Sequence, residues 1–173
     1  MKILVCISSV PDTTSKINFT ADKSAFDKNG IQWVINPYDE FALTKAVKLQ
    51  ESQGATVTIA TVGDAATEAV VRKALAIGAN DAIRVNTEPK DSITVAKELA
   101  KIVEEGGYDL VFCGKESIDY NGAAVPAMIA QLLNRPFVNA CVGLEVNGAE
   151  ATAVREIEGG KETLTVKIPA VIA

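Results

Sequence analysis

The residues best placed for chemistry lie in four short loops. One is Gly114-Lys115-Glu116-Ser117-Ile118-Asp119-Tyr120-Asn121-Gly122, which leads into a helical pattern. A glycine lets the backbone come close to a ligand, and the free amides of a helix start attract anions. The same residues also suit a plain structural task, with Asp119 or Asn121 capping the helix. Both readings stand. A second loop, Asn36-Pro37-Tyr38-Asp39-Glu40, also opens a helix. Proline keeps Asn36 extended, and the two acids suit a helix start. Asp39 and Glu40 are adjacent and diverge on a helix, so they form no acid–base dyad. The other two loops are Ser8-Ser9-Val10-Pro11-Asp12-Thr13 and Val62-Gly63-Asp64. Lys115 is a phosphate partner or a solvated lysine. Trp33 and Tyr38 read as packing residues.

What is missing narrows the chemistry. The chain contains no histidine, so a Ser-His-Asp triad, a Cys-His pair and a histidine-bound metal are all excluded for this chain alone. Its three cysteines, Cys6, Cys113 and Cys141, are far apart and form no CxxC. They read as small core hydrophobes in a reducing, cytoplasmic compartment. Neither GxGxxG nor GxxxxGK[ST] occurs, so the glycine fingerprints of dinucleotide and P-loop sites are absent.

The elements that must position these loops follow from periodicity. Lys2–Ile7, Ala55–Val62, Asp81–Val85 and Asp109–Cys113 are short β-rich runs bounded by turn residues. Helical patterns cover Asp39–Gln53, Asp64–Ile77, Asp91–Glu105 and Gly122–Leu133; glycine stops the first three. This alternation predicts an α/β fold, a three-layer, open, mostly parallel sheet of the adenine-nucleotide-binding, Rossmann-like type. Ligands of such sheets bind at the carboxyl ends of the strands. Asn29-Gly30 predicts a hairpin excursion within Lys16–Ile35. From Phe137 onward, Asn147-Gly148 and Gly159-Gly160 predict an antiparallel extension, with strands near Ala140–Val146, Ala151–Glu156 and Glu162–Ile168.

The 173 residues fit one domain. With 17 basic and 22 acidic residues the formal charge is −5, which argues against a nucleic-acid partner or an anionic membrane surface. The first residues, MKILVCISSV, read as a strand rather than a signal peptide, and no apolar run is long enough for a membrane span.

At these loops the sequence resembles the beta subunit of electron transfer flavoprotein. The resemblance rests on the first strand with Val10-Pro11-Asp12, on Asn36-Pro37-Tyr38-Asp39-Glu40 with its helix, on Arg72-Lys73-Ala74-Leu75-Ala76-Ile77-Gly78-Ala79, on Gly114-Lys115-Glu116-Ser117-Ile118-Asp119, and on Arg155-Glu156-Ile157-Glu158-Gly159-Gly160-Lys161-Glu162-Thr163-Leu164. It implies a heterodimer with an alpha subunit that holds most of the FAD, and an adenine nucleotide in the beta subunit. That nucleotide is AMP, or FAD in an electron-bifurcating relative. The pair would carry electrons from acyl-CoA-type dehydrogenases toward a quinone reductase, as an electron carrier rather than an enzyme.

By position, the resemblance assigns nucleotide contacts to the backbone of Cys6, to Asn36, Pro37, Tyr38, Asp39 and Val62, and to Asp119, Tyr120, Asn121, Gly122, Ala123, Ala124 and Val125. The loop Val10–Thr13 would face the flavin. Family members usually place polar side chains at the phosphate-binding helix start, where this chain has Gly122-Ala123-Ala124-Val125-Pro126. The family also continues past a segment like Ile168–Ala173, into a docking loop and an arm that are absent from these 173 residues, as in a truncated chain. The alternative from a different class is a stand-alone ATP- or AMP-binding module of the universal-stress type. The glycine-rich loop ending in Gly-Ser or Gly-Thr that such modules carry is missing here.

Overall fold

A computed structural model describes residues 1–173. In chain order the elements are β1 (Lys2–Cys6), β2 (Ser9–Pro11), β3 (Trp33–Ile35), α1 (Pro37–Gln53), β4 (Thr56–Val62), α2 (Glu68–Ile77), β5 (Asp81–Val85), α3 (Ser92–Gly106), β6 (Leu110–Phe112), α4 (Val125–Leu132), β7 (Phe137–Val138), β8 (Cys141–Asn147), β9 (Glu150–Ile157), β10 (Gly160–Lys167) and β11 (Ala170–Ile172). A 3-10 turn at Ala65–Thr67 precedes α2.

Six strands form one parallel sheet in the order β5-β4-β1-β6-β11-β7. The apolar run of β1 is continuous because both faces of this strand are covered. Ile3 and Val5 pack with Leu43, Ala46 and Leu49 of α1 and with Val70 and Ala74 of α2. Leu4 and Cys6 point the other way, toward Leu99 and Val103 of α3 and Ile129 of α4. The expected three layers are therefore present. The antiparallel sheet β10-β9-β8 adds Leu144, Val146, Ala151, Ala153 and Val166 to the α1 side.

Three expectations need correction. The antiparallel extension does not take up everything after Phe137, because β7 and β11 join the parallel sheet on either side of it. Strands of two and three residues are too short to show a period in sequence. The hairpin is not closed at Asn29-Gly30. It is formed by β2 and β3, paired from Ser9–Ile35 to Pro11–Trp33, with the long segment Asp12–Gln32 between them. Gly30 does occupy a left-handed turn at φ 73°, but inside that segment.

Helix α4 starts at Val125 rather than Gly122, and neither Asp119 nor Asn121 caps it. Its N-cap residue is Ala124, with no side-chain bond. Asp119 instead accepts the hydroxyl of Ser117 and the N–H of Tyr120. By contrast, Asp91 caps α3 by accepting the Thr94 N–H at 2.7 Å, and Gly54 and Gly107 end α1 and α3 in left-handed geometry. No helix is long and apolar enough to cross a membrane.

Candidate functional site

The chain builds β1, β4 and β5 toward one edge of the sheet, then crosses back to place β6 on the opposite flank of β1. The order reverses between β1 and β6, and the exits of those strands frame the crevice where open α/β sheets hold ligands. Cys6 ends β1 opposite Ala60 of β4, Val62 ends β4, and Cys113 follows β6. These residues and the loops beyond them share one rim.

The first turn of α1 sits against this rim. Asn36 and Asp39 are the right spacing apart to share a face of that turn, and both are buried, with exposures of 0% and 5%. Asn36 donates its side-chain Nδ2 to the Glu116 carbonyl at 2.9 Å and accepts the Ile118 N–H on Oδ1 at 3.2 Å. Its own backbone N–H reaches the Ser8 carbonyl at 2.9 Å. The Asp39 carboxylate accepts the Ser8 N–H at 2.7 Å and the Gly114 N–H at 2.8 Å. Burial pushes the pKa of Asp39 up to about 6, against the opposing pull of these hydrogen bonds. Gly114 is required here. A Cβ at that position would lie 2.4 Å from Asp39 Oδ1 and 2.7 Å from Tyr38 Cβ.

Tyr38 is half-buried, and the Lys115 ammonium sits 5.1 Å from the centre of its ring. Lys115 also lies 3.6 Å from Glu116. Trp33 packs edge-on against Phe26, with ring centres 6.4 Å apart. Cys6 and Cys113 are buried thiols on the same face of the sheet. The neighbouring Cys6 and burial push the Cys113 thiol well above its ordinary range. Such thiols are inert. No group of three or more Cys, Asp or Glu side chains is arranged to hold a metal.

Beyond Asn121, which is left-handed at φ 49°, the backbone N–H groups of Gly122, Ala123, Ala124 and Val125 find no acceptor in the protein. Four successive free amides at the start of α4 match what an anionic phosphate needs, even without polar side chains. Pro126 adds no donor.

Two groups stand out among the predicted residues. Asn36 and Asp39 turn their side chains into the protein and hold the loops. Gly122–Val125 offer free backbone amides. No hydrogen bond joins the two groups directly. A cavity of about 490 Å³ lies between α1 and β8 at the ends of β6 and β11. It includes Tyr38, Phe41, Lys115, Cys141 and Val142 but none of Asp119–Val125. Of the residues assigned above to the nucleotide it shares only Tyr38; it also takes in Lys115 of the first candidate loop, and sequence reasoning missed the rest of it. Gly114 was the visible signal for the close approach to α1, although nothing local names its partner.

A family model described as "Electron transfer flavoprotein domain" matches residues 24–173. The electron transfer flavoprotein subunit beta of Bacillus subtilis is 33% identical over 176 residues, covering 99% of this chain and 68% of that protein. The chain belongs to the beta-subunit family of electron transfer flavoproteins. The beta subunit of Syntrophomonas wolfei is 35% identical, covering all of this chain and 69% of its own length. A mitochondrial beta subunit from Oryza sativa subsp. japonica is 35% identical, with 99% and 70% covered. Family membership thus spans bacteria and a plant organelle.

Proposed function

We propose that this chain is the nucleotide-holding half of a heterodimeric electron carrier. It binds AMP, or FAD if the system bifurcates electrons, across the exits of β1, β4 and β6. It pairs with an alpha subunit that holds the electron-carrying FAD. The flavin, when bound, supplies the redox chemistry between acyl-CoA-type dehydrogenases and a quinone reductase, and in bacteria this takes place in the cytoplasm.

The observation that carries the reading is the run of free amides from Gly122 to Val125 at the switch-point loop. They hold a phosphate through the backbone, so the identity of the side chains there matters little. The backbone of Cys6 and Val62 flanks the base, and the first turn of α1 closes the near side. The loop Val10–Thr13 leads from β2 to solvent and is the segment that faces the partner's flavin. Nothing in this chain moves a proton or forms a covalent intermediate in this scheme. Its work is to bind, orient and dock.

The test is direct. The chain is purified, denatured, and the released small molecules are read by mass spectrometry. About one AMP per chain supports the reading, and FAD in its place marks a bifurcating system. If no nucleotide is released and none binds to the emptied protein, the proposal fails. Co-expression with the neighbouring alpha-subunit gene should give a yellow heterodimer, and its absence would remove the pairing.

A further inference from the structure

Asp39 is an anomaly within the site. It is an enclosed carboxylate that touches no cation: none of the salt bridges includes it. Its titratable neighbours are Tyr38 and Glu40 on α1, Cys6 at the end of β1, and Cys113, Lys115 and Glu116 at the end of β6. Lys115 is engaged with Tyr38 and Glu116 instead. What Asp39 does touch is two backbone amides from different loops, one on each carboxylate oxygen, Ser8 just after β1 and Gly114 just after β6, with the Asn36 and Ser8 side chains close beside it. These are the two strands between which the sheet order reverses.

We propose that Asp39 is a positioning residue whose carboxylate ties the exit of β1 to the exit of β6, holding the two loops at the spacing an adenine nucleotide requires. The proposal rests on the nucleotide reading above. The tie needs both oxygens as acceptors. A protonated carboxyl keeps one acceptor and turns an O–H toward the other amide, so one half of the tie opens. With burial raising its pKa to about 6, this happens in mild acid. Asn36 supports the same loop through Glu116 and Ile118 but has no proton to gain, so it keeps its hold when Asp39 lets go.

The test compares wild type with Asp39→Asn, which keeps the shape and has only one acceptor at every pH. Two readouts are taken between about pH 7.5 and pH 5: hydrogen exchange at the Ser8 and Gly114 amides without ligand, corrected for intrinsic rates, and AMP affinity by calorimetry. AMP titrates near pH 6 itself, so the quantity read is the ratio of wild type to variant. At the upper pH the variant should bind AMP about tenfold more weakly, the loss of one hydrogen bond to a charged acceptor. Its two amides should exchange faster by a similar factor. Both ratios should close toward one at the lower pH.

Unchanged amide exchange in the variant overturns the tie even if AMP binds. Loosened amides with unaltered AMP affinity overturn the positioning role. A wild type that binds no AMP overturns the nucleotide reading and the positioning role with it, whatever the amides show. If the variant does not fold, the wild-type Gly114 amide decides alone: protection that grows with pH through about 6 supports the tie, and a flat profile overturns it.

Discussion

An enclosed carboxylate without a cation lowers the stability of the folded state whenever it is charged. Asp39 takes up its proton at about pH 6 in the native chain and near 3.8 when unfolded. Between those values the native state binds more protons, so stability from this group falls as pH rises from about 4 to 6 and is level above. The cost is on the order of 3 kcal/mol across that window. Urea titrations at several pH values should show wild type losing this much relative to Asp39→Asn, and parallel curves would refute the assignment. Gly114 makes the complementary case. Gly114→Ala drives a methyl into the carboxylate and should cost about 1–3 kcal/mol by overpacking. Gly122→Ala meets nothing within 4 Å and should stay within about 0.5 kcal/mol, read as the shift in urea midpoint. At this scale the sequence displayed half of the site. Asn36 and Asp39 stand out in sequence only as parts of a helix start, Asn-Pro-Tyr-Asp-Glu; that both are buried is seen in the structure alone. Their partners, Glu116 and Ile118 for Asn36 and Gly114 for Asp39, lie dozens of residues away, and no local rule connects them.

Elements with strong punctuation were legible, and elements without it were not. Helix α3 begins at an aspartate that caps it and ends at a left-handed glycine, so its bounds follow from chemistry. Helix α4 has neither signal: its N-cap is an alanine in helical geometry, and its first free amides belong to a loop that imitates a helix start in sequence. The segment between β2 and β3 is the least constrained. Its internal bonds are local and exposed, such as Thr20 to Asp22 and Asn29 to Asp27, and its single bridge pairs Phe19 with Phe26. Replacing residues 13–31 with Asn-Gly should therefore preserve the β2–β3 pairing and change stability by no more than about 1 kcal/mol, because shortening a loop also lowers its closure entropy. A larger loss on chemical denaturation would mean the excursion packs on the core more than its exposure indicates.

No disulfide staples the whole molecule together. Its cysteines are free, and no metal-binding group is present in the structure. A chelator or a thiol reductant should accordingly leave Tm unchanged, while a nucleotide at a hundredfold excess over its Kd should stabilise the fold by about 2.7 kcal/mol. Differential scanning calorimetry checks both. The position of β11 has a different consequence, for biosynthesis. This strand emerges after every other strand of the sheet, yet it lies between β6 and β7, and Ala170 pairs with Leu110, a partner made long before. Until it arrives, the facing edges of β6 and β7 are bare, and the loop that must close is long. A nascent chain is thus left with a slot in its sheet that attracts any stray strand, including one from a neighbouring ribosome. Nascent chains stalled before residue 170 should remain protease-sensitive around β6 and β7 and bind chaperones, and they should lose both properties once β11 is free to insert.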